Sequence, residues 1–270
     1  MASANPVHWW RRFRDAPNDG AGKTLAVALM VALVSAVVVS ATAVSLKPLQ
    51  VANLERERQA RMAEMVARLP GMESMLAEAG VDSLEARIVD LATGTLTGDL
   101  DPATFDQRAA AADPETSTEL ADEVDIAGLG RRANHAPVFL VRRGDALALI
   151  VLPVSGAGYE STLYGYLALD GDANTVAGLT FYEQGETPGL GARIQDPAWQ
   201  ALWPGKQIAD EDGEIRISVV RGQASGPFEV DGISGATRTS TGVSNLLRFW
   251  LGENGFGPFL RRIREGEILR

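Results

Sequence analysis

The chain has 270 residues, a formal net charge of −10 at pH 7 and no cysteine. This length is enough for one sizeable soluble domain plus an anchor, and the lack of cysteine excludes disulfides, thiolate metal sites and cysteine-bound iron–sulfur clusters. Only His8 and His135 could supply an imidazole, so a histidine-based metal centre is not expected. The acidic charge argues against nucleic-acid binding, which requires a basic surface.

An uncharged apolar run from Thr24 to Leu46 predicts a single transmembrane helix, because about 20 such residues span a bilayer. Basic residues precede the run at positions 11, 12, 14 and 23. The positive-inside rule then places residues 1–23 in the cytoplasm and residues 47–270 outside it. The predicted helix has no ionisable side chain, so an ion path in an assembly would run mainly through other subunits.

A cleaved signal peptide is the alternative interpretation of this run, because Ala41-Thr42-Ala43 has the small-x-small form of a cleavage site. The long preceding tail and the length of the run favour retention, since the apolar region of a signal peptide has only about 7 to 15 residues. In both interpretations the large domain lies outside the cytoplasm.

Two segments separate the apolar run from the main strand patterns. Residues 51–69 alternate charged and apolar blocks, which predicts a helix near the membrane surface that ends at Pro70-Gly71. Residues from about 98 to 128 are acidic, rich in alanine and weakly periodic. This composition favours a surface insertion with short helices.

Six segments rich in Val, Ile, Leu and aromatic residues predict β-strands. Short loops such as Arg143-Gly144-Asp145 and Asp170-Gly171-Asp172 join several of them, so hairpins are favoured over parallel crossovers. With flanking helices, this pattern predicts an α+β domain with a mixed, mainly antiparallel sheet. The predicted strands are Arg87–Leu91, Val138–Arg142, Leu147–Val154, Leu163–Leu169, Val176–Tyr182 and Ile215–Val220.

A glycine-rich turn, Gly185-Glu186-Thr187-Pro188-Gly189-Leu190-Gly191, follows the predicted strand that ends near Tyr182. Proline and the flanking glycines give this backbone a defined bend. Such a turn can present backbone N–H and C=O groups to a ligand while Leu190 packs on it. On these residues alone, the favoured interpretation of Glu186 is a carboxylate that bonds backbone groups of its own turn.

The run from Asp231 to Thr241 reads Asp-Gly-Ile-Ser-Gly-Ala-Thr-Arg-Thr-Ser-Thr. Its small residues leave the backbone accessible to a ligand or a modifying enzyme. Apolar residues then recur at three- and four-residue spacing, which predicts an amphipathic helix with Ser240 or Thr241 as N-cap. By itself the run is also typical of an ordinary helix start. The apolar positions are Val243, Leu246, Leu247, Trp250 and Leu251.

An anion on Thr237 would lie near the unpaired N–H groups and the positive dipole end of this predicted helix, with Arg238 as a charged donor. Further along the chain, Gly252 is expected to end the helix and Pro258 to start another. The aromatic residues between Phe249 and Phe259 are interpreted as hydrophobic capping of the domain.

The segment Ser234-Gly235-Ala236-Thr237, with Asp231 three residues before it, resembles the flavin-attachment motif of Na+-pumping NADH:quinone reductases and their Rnf-type relatives. The resemblance implies that FMN is esterified through its phosphate to Thr237. It also implies that Asp231, Ser234, Gly235 and Ala236 form the recognition and binding loop for this covalent FMN.

The glycine-rich turn also resembles this family, which implies that Glu186, Thr187 and Leu190 contact the flavin. Relatives commonly have a histidine two residues before the glutamate, where this chain has Gln184. The implied FMN-binding region covers about residues 137–254. The segments 39–50, 105–111 and 125–134 resemble the flavin-carrying C subunit of the Na+-translocating enzyme rather than the shorter Rnf homologue.

The resemblance implies an electron-transfer subunit that is anchored in the bacterial inner membrane with its main domain in the periplasm. Its implied partners are the other subunits of a six-subunit Na+-translocating NADH:ubiquinone reductase and a flavin transferase that attaches the FMN. A dinucleotide fingerprint after a strand is absent, so NADH is not expected to bind this chain. The alternatives are an Rnf-type subunit that works with ferredoxin and NAD, and a non-redox, membrane-anchored assembly module.

Overall fold

The computed structural model describes residues 23–40, 42, 47, 84–102, 104–143 and 146–267. The chain divides into two compact units, residues 1–57 and residues 58–270. In the first unit, helix α1 covers Lys23–Ser40 with a mean hydropathy of 2.2, which makes it long and apolar enough to cross a membrane. A signal sequence would meet the same criterion. The predicted helix at residues 51–69 lies outside the described residues.

The second unit combines ten strands with four helices in its described part. The strands are β1 Leu84–Asp90, β2 Leu96–Thr97, β3 Ser117–Glu119, β4 Arg131–Ala133, β5 His135–Arg143, β6 Ala146–Ala157, β7 Thr162–Asp170, β8 Val176–Glu183, β9 Ser218–Val220 and β10 Glu229–Asp231. The helices are α2 Gln107–Ala112, α3 Pro197–Gln200, α4 Thr237–Leu251 and α5 Gly257–Arg264, and a 3₁₀ turn covers Gly191–Gln195.

A six-stranded antiparallel sheet with the order β2-β1-β5-β6-β7-β8 forms the centre of this unit. Five of its six strands overlap five of the six predicted ones, because segments rich in Val, Ile, Leu and aromatic residues favour strands that bury side chains against a core. In β7, for example, Leu163, Leu167 and Leu169 are buried in the main core, whereas Tyr164 and Tyr166 lie on the opposite face. The predicted α+β fold with a mainly antiparallel sheet is confirmed.

The sixth predicted strand, Ile215–Val220, is shorter in the structure and pairs differently. Only β9 remains as a strand, and it runs parallel to β10. Ile215 forms an isolated bridge with Ala209 instead. This small parallel pair makes the sheet arrangement mixed, and it brings the end of β10 to the start of the segment that leads into α4.

The acidic segment at residues 98–128 contains one short helix, α2, and one strand that the sequence pattern did not predict, β3. Asp106 caps α2 by accepting hydrogen bonds from the backbone N–H groups of Arg108 and Ala109. Arg108 joins this segment to the main sheet, because its guanidinium binds both carboxylate oxygens of Glu183 at 3.2 and 2.7 Å and lies 3.4 Å from the ring centroid of Tyr164. The insertion is therefore tied to β7 and β8.

Helix α4 packs on the main core face of the sheet, as its apolar spacing predicts, with Val243, Leu246 and Leu247 fully buried. Two observations show that α4 lies close to β6. Trp250 Nε1 donates a hydrogen bond of 2.7 Å to the carbonyl oxygen of Ser155. A Cβ at Gly242 would overlap the carbonyl oxygen of Ala157. The helix therefore lies too close to β6 for any larger residue at position 242.

The predicted N-cap of α4 is wrong. The helix begins at Thr237, with Ala236 at the N-cap position and no side-chain cap. Ser240 is already in the first turn and is buried, and its hydroxyl accepts a hydrogen bond of 3.3 Å from the backbone N–H of Ile233. The hydroxyl that suggested a cap thus binds the preceding loop.

The end of the chain agrees with the prediction of a hydrophobic cap. Gly252 ends α4, and α5 follows with Pro258 in its first turn. Trp250 packs against Phe249 and Phe256, with ring centroids 5.5 and 5.4 Å apart. Phe249, Trp250 and Phe256 are all buried, so their rings belong to the core.

Candidate functional site

The loop before α4 is organised by Asp231 at the end of β10. Its Oδ1 atom accepts a hydrogen bond of 2.7 Å from the backbone N–H of Ala224. Its carbonyl oxygen accepts a hydrogen bond of 2.8 Å from Trp199 Nε1. The predicted binding residue Asp231 therefore fixes the loop at residues 221–224 and the start of the attachment run.

Ser234, Gly235 and Ala236 form a bend between β10 and α4. Ser234 and Gly235 are exposed, and Gly235 has a φ of +80°, a conformation that favours glycine. Ala236 is buried, and its N–H donates to the carbonyl oxygen of Ile233 at 3.0 Å. The bend brings the next residue, Thr237, to the surface.

Thr237 is the first residue of α4, and its side chain is exposed. Within the described residues, the backbone N–H groups of Thr237, Arg238 and Thr239 make no hydrogen bond. Free N–H groups and the helix dipole together favour an anion at such a helix start. Arg238 is exposed beside it, with its guanidinium 5.0 Å from the ring centroid of Tyr159.

The hydroxyl residues of this run separate into two sets. Thr239, Ser240 and Ser244 are buried and hydrogen-bonded to other parts of the domain. Thr241 is exposed, but its hydroxyl donates to the carbonyl oxygen of Thr237 at 3.0 Å. The exposed Thr237 hydroxyl has no hydrogen bond with the described residues, so a modifying enzyme could reach it.

Glu186 is buried, with 4% of its surface exposed. One carboxylate oxygen accepts hydrogen bonds from the backbone N–H groups of Tyr159, Glu160 and Ser161 at 3.0, 2.9 and 3.2 Å. The other accepts a hydrogen bond of 2.5 Å from the hydroxyl of Thr239. The carboxylate therefore bonds the β6–β7 turn and α4, not the backbone of its own turn as favoured on the residues alone.

Residues 187–190 of the glycine-rich turn lie at the surface beside the attachment loop. The carbonyl oxygen of Thr187 accepts hydrogen bonds from the N–H groups of Leu190 and Ala192 at 3.1 and 3.2 Å. Leu190 is 44% exposed, and its Cδ2 atom lies 3.0 Å from the position that a Cβ of Gly235 would take. The structure thus brings the two predicted motifs into contact.

Gln184 has a defined role in this turn. Its side-chain oxygen accepts a hydrogen bond of 2.5 Å from the backbone N–H of Glu186, and its Nε2 atom donates to Gln195 at 3.2 Å. Gln195 in turn donates to the carbonyl oxygen of Phe181. Gln184 therefore links the turn to the 3₁₀ segment.

Sequence reasoning missed Tyr159, which is 54% exposed beside Arg238. The signal available was weak: an aromatic residue directly after Gly158, at the turn between two predicted strands. Its position depends on the long-range bond from its N–H group to Glu186, which no local pattern reveals.

The arrangement fits a flavin mononucleotide better than a metal ion. An exposed hydroxyl, an arginine and three N–H groups without a hydrogen bond to the described residues suit a phosphate group, and the exposed side chains of Leu190 and Tyr159 offer apolar contact to a ring. A cavity of about 470 Å³ lies elsewhere, lined in part by Arg216, Phe228 and Arg248. Arg248 is eleven residues along α4 from Thr237, about 16 Å, and the cavity includes none of the predicted site residues.

Comparisons with known proteins support this assignment. The FMN-binding domain family matches residues 158–252, which contain both motifs and fall inside the predicted region 137–254. The chain is 45% identical to the C subunit of the Na(+)-translocating NADH-quinone reductase of Vibrio vulnificus over 255 residues, or 94% of this chain and 99% of that protein. It is also 45% identical to the corresponding protein of Pseudomonas aeruginosa, with coverage of 93% and 99%.

Solved structures agree. The crystal structure of Shewanella oneidensis NqrC matches with a TM-score of 0.65 and 38% identity over 72% of this chain and 88% of that chain. The corresponding Na(+)-translocating NADH-quinone reductase protein from Parabacteroides distasonis matches with a TM-score of 0.55 and 29% identity, over 77% of this chain and 94% of that chain. Because the curated relatives are matched over nearly their full length, the chain belongs to the NqrC family of Na+-translocating NADH-quinone reductase subunits.

Proposed function

We propose that this chain is an electron-transfer subunit that carries FMN on Thr237 through a phosphoester bond. One observation carries the proposal: Thr237 is exposed at the start of α4. It lies beside three N–H groups that make no hydrogen bond with the described residues. When bound, the flavin would supply the redox chemistry for relaying electrons between cofactors of neighbouring subunits. The protein supplies the tether and the electrostatic environment.

Attachment requires a flavin transferase that uses FAD. The Thr237 oxygen bonds to the phosphorus of the FMN half, the phosphoanhydride bond breaks, AMP leaves and the hydroxyl proton is released. Free N–H groups at the start of α4 and the nearby Arg238 guanidinium would stabilise the resulting phosphate.

The surrounding residues have separate roles in this proposal. Asp231, Ser234, Gly235 and Ala236 shape the loop that the transferase recognises. Thr187 and Leu190 contact the flavin from the surface of the turn. The predicted flavin contact of Glu186 would involve its backbone, because both of its carboxylate oxygens are hydrogen-bonded within the protein.

We also propose that α1 anchors the chain in the bacterial inner membrane with its N-terminus in the cytoplasm and its main domain in the periplasm. The apolar helix Lys23–Ser40 and the basic residues before it support this orientation. The other subunits of the complex would be its permanent partners. The near full-length match to the Vibrio and Pseudomonas relatives favours this assembly over an Rnf-type one.

The decisive experiment compares Thr237→Ala with Thr241→Ala in the full chain, each produced together with a flavin transferase. The wild type and Thr241→Ala should give a fluorescent band in a denaturing gel and gain the mass of FMN less one water. Thr237→Ala should give neither, because the acceptor oxygen is removed. Survival of the band in Thr237→Ala would refute this attachment site, and its absence from the wild type would favour the non-redox module.

A further inference from the structure

We propose that Glu186 and Thr239 are positioning residues, whose hydrogen bond fixes the flavin-attachment end of α4 against the glycine-rich turn. This inference rests on the proposed function, since it concerns how the same site is held in shape. Neither side chain is offered to a ligand, because both are buried, at 4% and 2% exposed. They act instead through Thr237 and Leu190, which are exposed residues of the same two segments.

The Glu186 carboxylate joins three separate segments of the chain. One oxygen accepts the backbone N–H groups of residues 159–161 at the β6–β7 turn, and the other accepts the Thr239 hydroxyl at 2.5 Å. Thr239 and Glu186 are 53 positions apart in sequence. Hydrogen bonds to a buried charge are stronger than neutral ones, so this contact resists opening.

The space around the carboxylate is shaped for it by two glycines. A Cβ at Gly158 would lie 2.5 Å from one carboxylate oxygen of Glu186. A Cβ at Gly191 would lie 2.6 Å both from the other oxygen and from the Thr239 hydroxyl. Real Cβ atoms do not approach other atoms so closely, so both positions require glycine while the carboxylate is in place.

The consequence is a fixed relation between the tether and the turn. Thr239 is two residues after Thr237, and Glu186 is four residues before Leu190, which lies against Gly235 of the attachment loop. The hydrogen bond between Glu186 and Thr239 holds the attachment loop at a fixed distance from the glycine-rich turn. Without it, α4 and the turn lose their direct side-chain hydrogen bond.

The test uses the full chain in membranes with a flavin transferase and compares four variants. Thr239→Val removes the hydroxyl at nearly constant volume, whereas Thr239→Ser keeps the hydroxyl and removes only the methyl group. Thr241→Val is the matched control, because the same change on the exposed side of the same helix removes only a bond to the Thr237 carbonyl. Glu186→Gln keeps the shape but loses the charge.

Three quantities are measured: the initial rate of flavin attachment, the midpoint potential of the attached flavin, and quenching of its fluorescence by iodide. In Thr239→Val the rate should fall about tenfold, since one hydrogen bond to a charged group is lost, and iodide quenching should increase. Thr239→Ser and Thr241→Val should match the wild type. In Glu186→Gln the rate of flavin attachment should fall by less than in Thr239→Val. The midpoint potential of the flavin should rise, because a nearby negative charge is removed.

The proposal is overturned if Thr239→Val matches Thr241→Val in rate, potential and quenching, even if its unfolding midpoint is lower. If Thr239→Val does not accumulate as folded protein, Glu186→Gln decides: unchanged rate and potential in that variant overturn the proposal. A wild type and Thr241→Val without covalent flavin would instead refute the proposed function, and this inference with it.

Discussion

Thr237 and Thr239 are two residues apart in one helical turn, and the fold uses them in opposite ways. The Thr237 side chain is exposed and makes no hydrogen bond with the described residues, whereas Thr239 is buried and hydrogen-bonded to Glu186. The same residue type is therefore accessible for modification at position 237, and at position 239 it stabilises the packing of α4 against the glycine-rich turn. The difference shows that burial and hydrogen bonding, not the presence of a hydroxyl, decide which residue is available for modification.

The same division extends along the run. Ser234 is exposed like Thr237, while Ser240 and Ser244 are buried and accept hydrogen bonds from the backbone N–H groups of Ile233 and Val219. The exposed side should tolerate substitution with little loss of stability, and the buried side should not. Three substitutions test this comparison.

The largest effect is expected for Gly242→Ala on the buried side of α4. Helix propensity alone would make this change stabilising by about 1 kcal/mol. The new Cβ would overlap the Ala157 carbonyl oxygen, so we expect overpacking to dominate and the free energy of unfolding to fall by about 3 kcal/mol. Denaturant unfolding of the full chain in detergent, followed by tryptophan fluorescence, measures it.

A matched control for that variant is Gly98→Ala, where no neighbouring atom of the described residues lies within 4 Å of the added Cβ. It should leave the unfolding midpoint nearly unchanged. A Gly242→Ala protein that is more stable than the wild type would show that α4 can move away from β6. It would contradict the conclusion that close packing makes the buried side of α4 sensitive to substitution.

A smaller effect is expected for Ser244→Ala. The Val219 N–H would lose the acceptor that it now has at 2.8 Å, and a part-buried donor left without a partner costs about 1 kcal/mol. The same unfolding measurement applies, with exposed Ser234→Ala as the control. Equal unfolding midpoints for the two variants would contradict the division into a buried and an exposed side.

The smallest effect is expected for Thr237→Ala in the chain before flavin attachment. The side chain is exposed and makes no hydrogen bond with the described residues, so its free energy of unfolding should change by less than about 0.5 kcal/mol. This variant should then separate chemistry from stability, losing the flavin while keeping the fold. A loss above about 1 kcal/mol would mean that Thr237 also supports the helix start.

The sheet and the body of α4 were predictable because their signals are local. Alternation along β7 and three- and four-residue spacing from Val243 to Leu251 follow directly from strand and helix geometry. The start of α4 was misplaced for a physical reason. A serine near a helix start favours the N-cap, but the Ser240 hydroxyl lies inside the first turn and accepts a hydrogen bond from the Ile233 N–H.

The site was predictable only in part. The resemblance identified both motifs, and the structure places Leu190 against Gly235, which joins them. The role of Glu186 was not visible from its turn, because its partners Tyr159 and Thr239 are 27 and 53 positions away. Local pattern shows which segments can bend or be exposed, and long-range hydrogen bonds decide which side chains remain free.

The edges of the six-stranded sheet bear on how this domain can meet its neighbours. One edge strand, β2, has only two residues. At the other edge, Val176 of β8 exchanges backbone hydrogen bonds with residues 205 and 206, and the Phe181 carbonyl oxygen accepts from Gln195. Short or covered edges prevent strand addition between molecules. Along these short or covered stretches, contacts with neighbouring proteins would be made by side chains and loops, which can separate and re-form without breaking the sheet.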